Sequence, residues 1–351
     1  MTVRAVSDEF AADEVTEKKQ VSGTALYDWG VIAVSTWLIA GIYADGWAHN
    51  HLRLENFFTP WHGVLYSGLL VVTVFFVGTF IRNRLRGYPV RLAMPAGYEL
   101  SFFGVILFFF AGIGDLVWHT LFGIELNIDG ALSPTHIAIV VSTTLIVAGP
   151  YRAAWQRKDT TANQTLVALL PMLLSLMYTL AAITVIAQFA HPFVFLWPSK
   201  ANQDPFTVQA LAVVSIVLQT IILMGFVLLT VRRWKLPFGA FTLVYTLNIA
   251  LLSIMQDTYM MIVVAALAGL IADVLVWQLK PSVERPNSIR IFAFAVPVTI
   301  YLLYFLMLTF TAGVHWTIHL WLGSTVVAGI TGLLLSYILL PPRIPGETIS
   351  Q

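Results

Sequence analysis

The sequence has no cysteine and very little charge. Without cysteine there are no disulfides, no thiolate metal sites and no cysteine nucleophiles. Charged residues make up 11% of the 351, and hydrophobic residues 58%. A soluble domain carries about 25% charge to cover its surface, so this chain has too little polar material for a water-facing shell. Its natural solvent is the bilayer. The net charge is +1 and the basic residues are scattered over short loops, which leaves no basic patch for nucleic acid. The first 25 residues are polar, of mixed charge, and lack an apolar core. They do not make a secretory signal peptide and read as a mobile cytoplasmic tail.

Long apolar runs dominate the remainder. A hydrocarbon core of about 30 Å is crossed by roughly 20 apolar residues in a helix. Ten such runs are predicted, at 27–48, 61–81, 98–118, 134–152, 165–188, 206–231, 238–255, 259–279, 290–311 and 315–340. The seventh is the shortest and forms a tight hairpin with the eighth. The expected fold is therefore all-α and polytopic, with a single transmembrane helical domain over 26–342 and a short cytoplasmic tail at 343–351. Basic residues concentrate in the even-numbered loops: Arg82, Arg84, Arg86 and Arg91; Arg152, Arg157 and Lys158; Arg232, Arg233 and Lys235; Lys280, Arg285 and Arg290. Arg343 follows the last run, and the odd loops hold only Arg53 and Lys200. The positive-inside rule then puts the chain in a cell membrane with both termini cytoplasmic.

On this topology all eight histidines fall at the outer ends of the helices. His49, His51 and His62 flank the first loop, His119 and His136 the third. His191 begins the fifth, and His315 and His319 follow the ninth helix. Polar groups at membrane depth are costly and need a reason. Asp45 and His49 are four residues apart, so on a helix they share one face about 6 Å apart along the axis. His62 opens the next helix within FFTPWH. A helix hairpin unites them as one carboxylate and two imidazoles, a set suited to copper, zinc or iron(II).

The same construction recurs. Asp115-Leu-Val-Trp-His119 ends the third run, and His136 follows within LSPTH. Both copies carry Asp-x-x-x-His, a nearby Trp, an intervening acid (Glu55, Glu125) and Thr/Ser-Pro-x-His, with four more residues between the histidines in the second. We read an internal duplication of a helix pair, spanning about 27–81 and 98–152.

These segments resemble the metal-binding segment of the C subunit of the copper membrane monooxygenases, which oxidise methane, ammonia or short alkanes. The first copy, Asp45 to His62, has that family's spacing and its Phe-Thr-Pro-x-His ending; the second, DLVWHTLFGIELNIDGALSPTHI, shares the Trp-His pair and the Pro-Thr-His ending. The resemblance covers about 40 residues. It implies copper ligation by Asp45, His49 and His62, a second set at Asp115, His119 and His136, a small apolar substrate and further membrane subunits as partners.

Other outer-face groups are weaker signals. His315 and His319, at i and i+4 of an expected helix start, make a candidate bidentate metal face. Asp257, in the tight hairpin, is a candidate to complete a site with them. His191, before Pro192, is a ligand or a helix-end cap. His51 breaks the helical register of the first triad and reads as interfacial. Asp273 is expected to pair with or snorkel toward Lys280. Asn248 and Gln219 are expected to make interhelical hydrogen bonds; Met255, Met260 and Met261, near Asp257, fit lipid or core packing as well as they fit soft copper ligation.

Three functions compete. One is a copper-dependent membrane oxygenase, or a subunit of one. Another is a non-catalytic protein that binds copper or zinc. The third is an intramembrane zinc hydrolase resembling the alkaline ceramidase and adiponectin-receptor group, in which His315 and His319 would bind zinc and Asp45 or Asp115 would assist a zinc-bound water.

Overall fold

The computed structural model describes residues 20–52, 57–123, 127–157, 165–200 and 205–341. Glu55, Glu125, Arg53, Lys158, Arg343 and most of both expected tails lie outside the described residues. Apart from one bridge between Ser282 and Arg285, the regular structure among the described residues is helical. The chain is an all-α polytopic membrane protein. Nine helices among the described residues are long and apolar enough to span, and a shorter apolar helix, Ala240–Gln256, fills the seventh expected place.

The helices that build the site come first. Helix α1 (Ala25–His51) packs against α2 (Pro60–Leu85), and α3 (Glu99–Phe122) against α5 (Pro134–Val147). Between the latter two lies the short α4 (Asn127–Leu132), and α5 continues into α6 (Gly149–Gln156). These are the two expected helix pairs. Glycines set their spacing. A Cβ on Gly41 would lie 2.7 Å from Leu65 Cα, and one on Gly68 would lie 2.9 Å from Leu38 Cα. The α1 and α2 backbones thus touch at two reciprocal points, where a side chain of any size would force them apart. Gly104 plays the same part in the second pair, its Cβ position 2.8 Å from the Ser142 carbonyl.

Proline breaks the fourth span. Pro150, at the start of α6, has no N–H to offer the preceding turn. The exposed carbonyls find side chains instead. Ser101 Oγ donates to Ile146 O (3.0 Å), Arg152 Nη2 to Leu145 O (2.7 Å) and Ser175 Oγ to Val147 O (2.6 Å). Such substitution is what a low-dielectric setting demands of a broken helix.

The second half comprises α7 (Leu166–Ala187), the short α8 (Pro192–Phe195), α9 (Pro205–Arg233), α10 (Ala240–Gln256), α11 (Met260–Leu279), α12 (Pro286–Phe310) and α13 (Ile318–Leu339). Helix α7 packs on α1, α5 and α10 and joins the halves.

Several polar expectations are corrected here. Asp273 does not pair with Lys280. It accepts from Phe241 N (2.9 Å), Thr242 N (3.0 Å) and Thr242 Oγ1 (2.7 Å), capping α10 from a neighbouring helix. The cap residue of α10 is Gly239, which has no side chain to do this itself. Gln219 makes its expected interhelical bond, to Ala190 O at 3.0 Å. The bond expected of Asn248 is not formed among the described residues, and its Oδ1 is buried without a partner. Met255 and Met261 are core residues, as packing predicts.

Candidate metal centre

The Thr/Ser-Pro-x-His motif is a helix start. Thr59 caps α2 with its hydroxyl accepting from His62 N (3.2 Å), and Ser133 caps α5 by accepting from His136 N (3.3 Å). Proline follows at the first helical position of each, where a missing N–H costs nothing. The histidine is thereby fixed in the first turn, facing the end of the preceding helix. That end carries Asp-x-x-x-His in both copies, and the i, i+4 spacing turns both side chains to one side.

The structure brings the residues of both expected triads close together. His49 Nε2 lies 3.7 Å from Asp45 Oδ2, and His62 Nε2 lies 3.5 Å from Asp45 Oδ1. His119 Nε2 and His136 Nε2 approach Asp115 Oδ1 at 3.4 and 3.3 Å. The triads also meet. The His62 and His119 rings lie tilted to one another with centroids 6.1 Å apart. Ligand-type atoms of Asp45, His49 and His62 fall within 4.8 Å of one another, and so do those of His62, Asp115 and His119. His62 is common to both groups.

Three imidazoles are oriented from behind by backbone carbonyls. His62 Nδ1 donates to Phe57 O (2.6 Å), His119 Nδ1 to Gly123 O (3.1 Å) and His136 Nδ1 to Gly130 O. A carbonyl only accepts, so Nδ1 holds the proton in each case and Nε2 is the ligating nitrogen. This arrangement is the usual support of a metal-bound histidine. Asp115 is supported too: Tyr66 Oη donates to Oδ2 (2.9 Å) and Thr135 Oγ1 to Oδ1 (3.0 Å).

The electrostatics call for a cation. Asp115 is 1% exposed as a side chain and Asp45 13%. Among the described residues no lysine or arginine pairs with either; their close partners are the histidines. Asp45 Oδ1, His49 Nε2 and His62 Nε2 are buried without hydrogen-bond partners. Orphaned buried acceptors converging on one point are costly unless something positive joins them. A bound metal ion would supply it, and the residues present fit that need.

The remaining sequence candidates lie elsewhere. His315 precedes α13, which begins only at Ile318 after its cap Thr317. Gly313 adopts a positive φ of 80°, and Trp316 is buried against Phe305. Both hold residues 313–317 out of helical geometry. The expected helical face of His315 and His319 is therefore not formed, and both are exposed. His191 is the N-cap of α8, its Nδ1 accepting from Phe193 N (3.1 Å); burial pushes its pKa down to about 3. Asp257 joins not that pair but His51, at 2.6 Å.

The Asp257 contact ties the end of α1 to the turn between α10 and α11, helped by Asn50 Nδ2 donating to Met255 O (3.1 Å). Hydrogen bonds from His51 and Tyr259 hold the Asp257 carboxyl below the usual carboxylate range. A depressed carboxylate contributes stability above its ordinary pKa of about 4 and loses it as pH falls through the lower folded value. The tie is expected to hold from neutral pH to about pH 4 and to open below that. Spin labels at the exposed Leu52 and Ile254 report it. A distance that already lengthens on going from neutral to mildly acidic buffer would refute it.

Sequence reasoning missed Tyr66, Thr135 and the three backbone acceptors. Tyr66 had a readable signal, since it lies one helical turn after His62 on the same face. Comparisons with family models, with curated proteins and with solved structures give no match.

Proposed function

We propose that the chain is a copper-binding membrane protein of the oxygenase type, acting on apolar substrates that reach it from the bilayer. The observation that carries this reading is the convergence of carbonyl-locked imidazoles on two buried carboxylates. Copper is preferred because nitrogen-rich sites hold it more tightly than the other divalent first-row ions, and because the Asp45–His62 segment resembles that of the copper membrane monooxygenases. Bound copper would supply the redox chemistry of oxygen insertion, with dioxygen as oxidant and an external two-electron donor as reductant.

The chain's own residues do the rest. Asp45, His49 and His62 hold one position, and Asp115, His119 and His136 the other. Tyr66 and Thr135 keep Asp115 turned inward. Ile42, Leu65, Ile139 and Val140 supply apolar wall beside the cluster. A cavity of about 640 Å³ adjoins it, lined by every one of these ligands except His119; a storage protein has no need of such a space, which favours catalysis over mere binding. The separation of His315 from helix α13 removes the histidine pair that the hydrolase reading needs. By the positive-inside argument, the cluster lies toward the extracytoplasmic side.

Elemental analysis of the purified protein tests this. Copper in the preparation, diminished in Asp45→Ala and Asp115→Ala, is the expected result. Zinc in its place, with hydrolysis that needs no oxygen, would overturn it. So would full metal content in both variants.

A further inference from the structure

The cavity beside the metal centre is far larger than its ligands require. Its volume is about 640 Å³, room for on the order of 20 waters and within the range that encloses drug-sized ligands. A gas or a short alkane would fill only a small fraction of it. The walls are apolar and come from separate helices: Ile42 of α1, Leu65 of α2, Ile139 and Val140 of α5, and Val185 of α7. A long carbon skeleton fits such walls.

Apart from the ligands, the polar side chains lining the cavity are Asn50, whose Nδ2 is committed to Met255 O, and the pair Gln188 and Gln256, in which Gln256 Nε2 donates to Gln188 Oε1. That bond leaves the Gln188 amide N–H groups and the Gln256 carbonyl to face a ligand. No lysine or arginine lines the cavity among the described residues, while Asp45 and Asp115 do. An anionic headgroup placed at the two amides would find no lysine or arginine beside it. A neutral head that both donates and accepts would match the two amides.

We propose that this cavity binds an uncharged amphiphile, a long-chain or polycyclic alcohol, with its hydroxyl at Gln188 and Gln256 and its carbon skeleton along the apolar walls beside the metal positions. This rests on the reading of the cluster as a metal centre acting on bilayer-borne substrates and fixes the class of molecule it takes.

The test uses the full-length protein in detergent and a photoreactive long-chain alcohol, with the matching carboxylic acid and trimethylammonium compounds as comparisons. Labelling by the alcohol is expected on peptides carrying Ile42, Val140 or Val185. It should be competed by unlabelled alcohol and exceed labelling by either charged compound roughly tenfold. Val140→Trp and Val185→Trp, on different helices, fill the space and are expected to cut labelling by a similar factor with copper content unchanged. Gln188→Leu with Gln256→Leu should erase the preference for the alcohol over the parent alkane. Equal labelling by the acid, or labelling that survives both tryptophan variants, would overturn the proposal. Copper is measured on the same samples, so the two readings fail separately. Alcohol binding without copper defeats the metal reading alone, and copper without cavity labelling defeats this one.

Discussion

Replacing both His62 and His136 by alanine is expected to abolish metal binding, whereas replacing both His49 and His62 should only halve it. The reasoning starts from the carbonyl locks. His62 Nδ1 is committed to Phe57 O, so His62 has one lone pair and serves one ion at a time. With both positions filled, it completes the Asp45 set, and His136 completes the Asp115 set. Alanine at His62 leaves Asp45 and His49, too few donors to hold an ion, but spares the other triad. Alanine at His136 leaves Asp115 and His119 with only His62 to call on, so one position fills at the expense of the other. Each single substitution is therefore expected to halve the metal content. The cross-triad double leaves each carboxylate with one imidazole, and the within-triad double spares the Asp115 set whole. Elemental analysis of these four variants separates two neighbouring positions from a single pooled cluster. If the His49→Ala/His62→Ala double were as empty as the cross-triad double, the two-position reading would fail.

A methyl group at Gly41 is expected to remove the Asp45 position without touching any ligand. The new Cβ would lie 2.7 Å from Leu65 Cα and 3.0 Å from Leu65 N. Both are backbone atoms, so α2 itself must move. His62 lies one helical turn before Leu65 and travels with it, away from Asp45. Overpacking of this kind costs about 1–3 kcal/mol, so the variant should fold with a lowered thermal midpoint and about half the metal. Gly68→Ala, 2.9 Å from Leu38 Cα, should act in the same direction. Gly78, on the same helix, has nothing within 4 Å of its Cβ position. Gly78→Ala is the control, expected to keep its metal and to gain up to about 1 kcal/mol in helix propensity. Full copper content in Gly41→Ala would show that the close helix crossing does not position the site.

What the sequence made legible divides along physical lines. The spans were readable because a bilayer forces backbone polar groups into helices, so hydropathy alone locates them. The triads were readable because Asp-x-x-x-His needs only a helix, and Thr/Ser-Pro-x-His only a helix start. The sharing of His62 was not readable, since it depends on how α2 crosses α3. Tyr66 was readable as a residue on the His62 face, but its bond to Asp115, 49 positions away, was not. Asp273 was misread for the same reason: its partners are on α10, whereas Lys280 was merely near in sequence. The pairing of His315 with His319 failed locally. The turn at Gly313 and the buried Trp316 delay the helix by three residues.

The two carboxylates are held quite differently. Asp115 is gripped on both oxygens by hydroxyls, and His119 stands behind it, outside the cavity wall. Asp45 has an oxygen that nothing holds, and its whole triad opens on the cavity. An ion bound at Asp115 meets a shell already set, with little freedom to rearrange. An ion at Asp45 meets a carboxylate that can swing as charge and coordination change. The two motif copies thus differ in reorganisation energy: the stiff one would suit a resident ion of fixed geometry, and the compliant one an ion whose partners come and go.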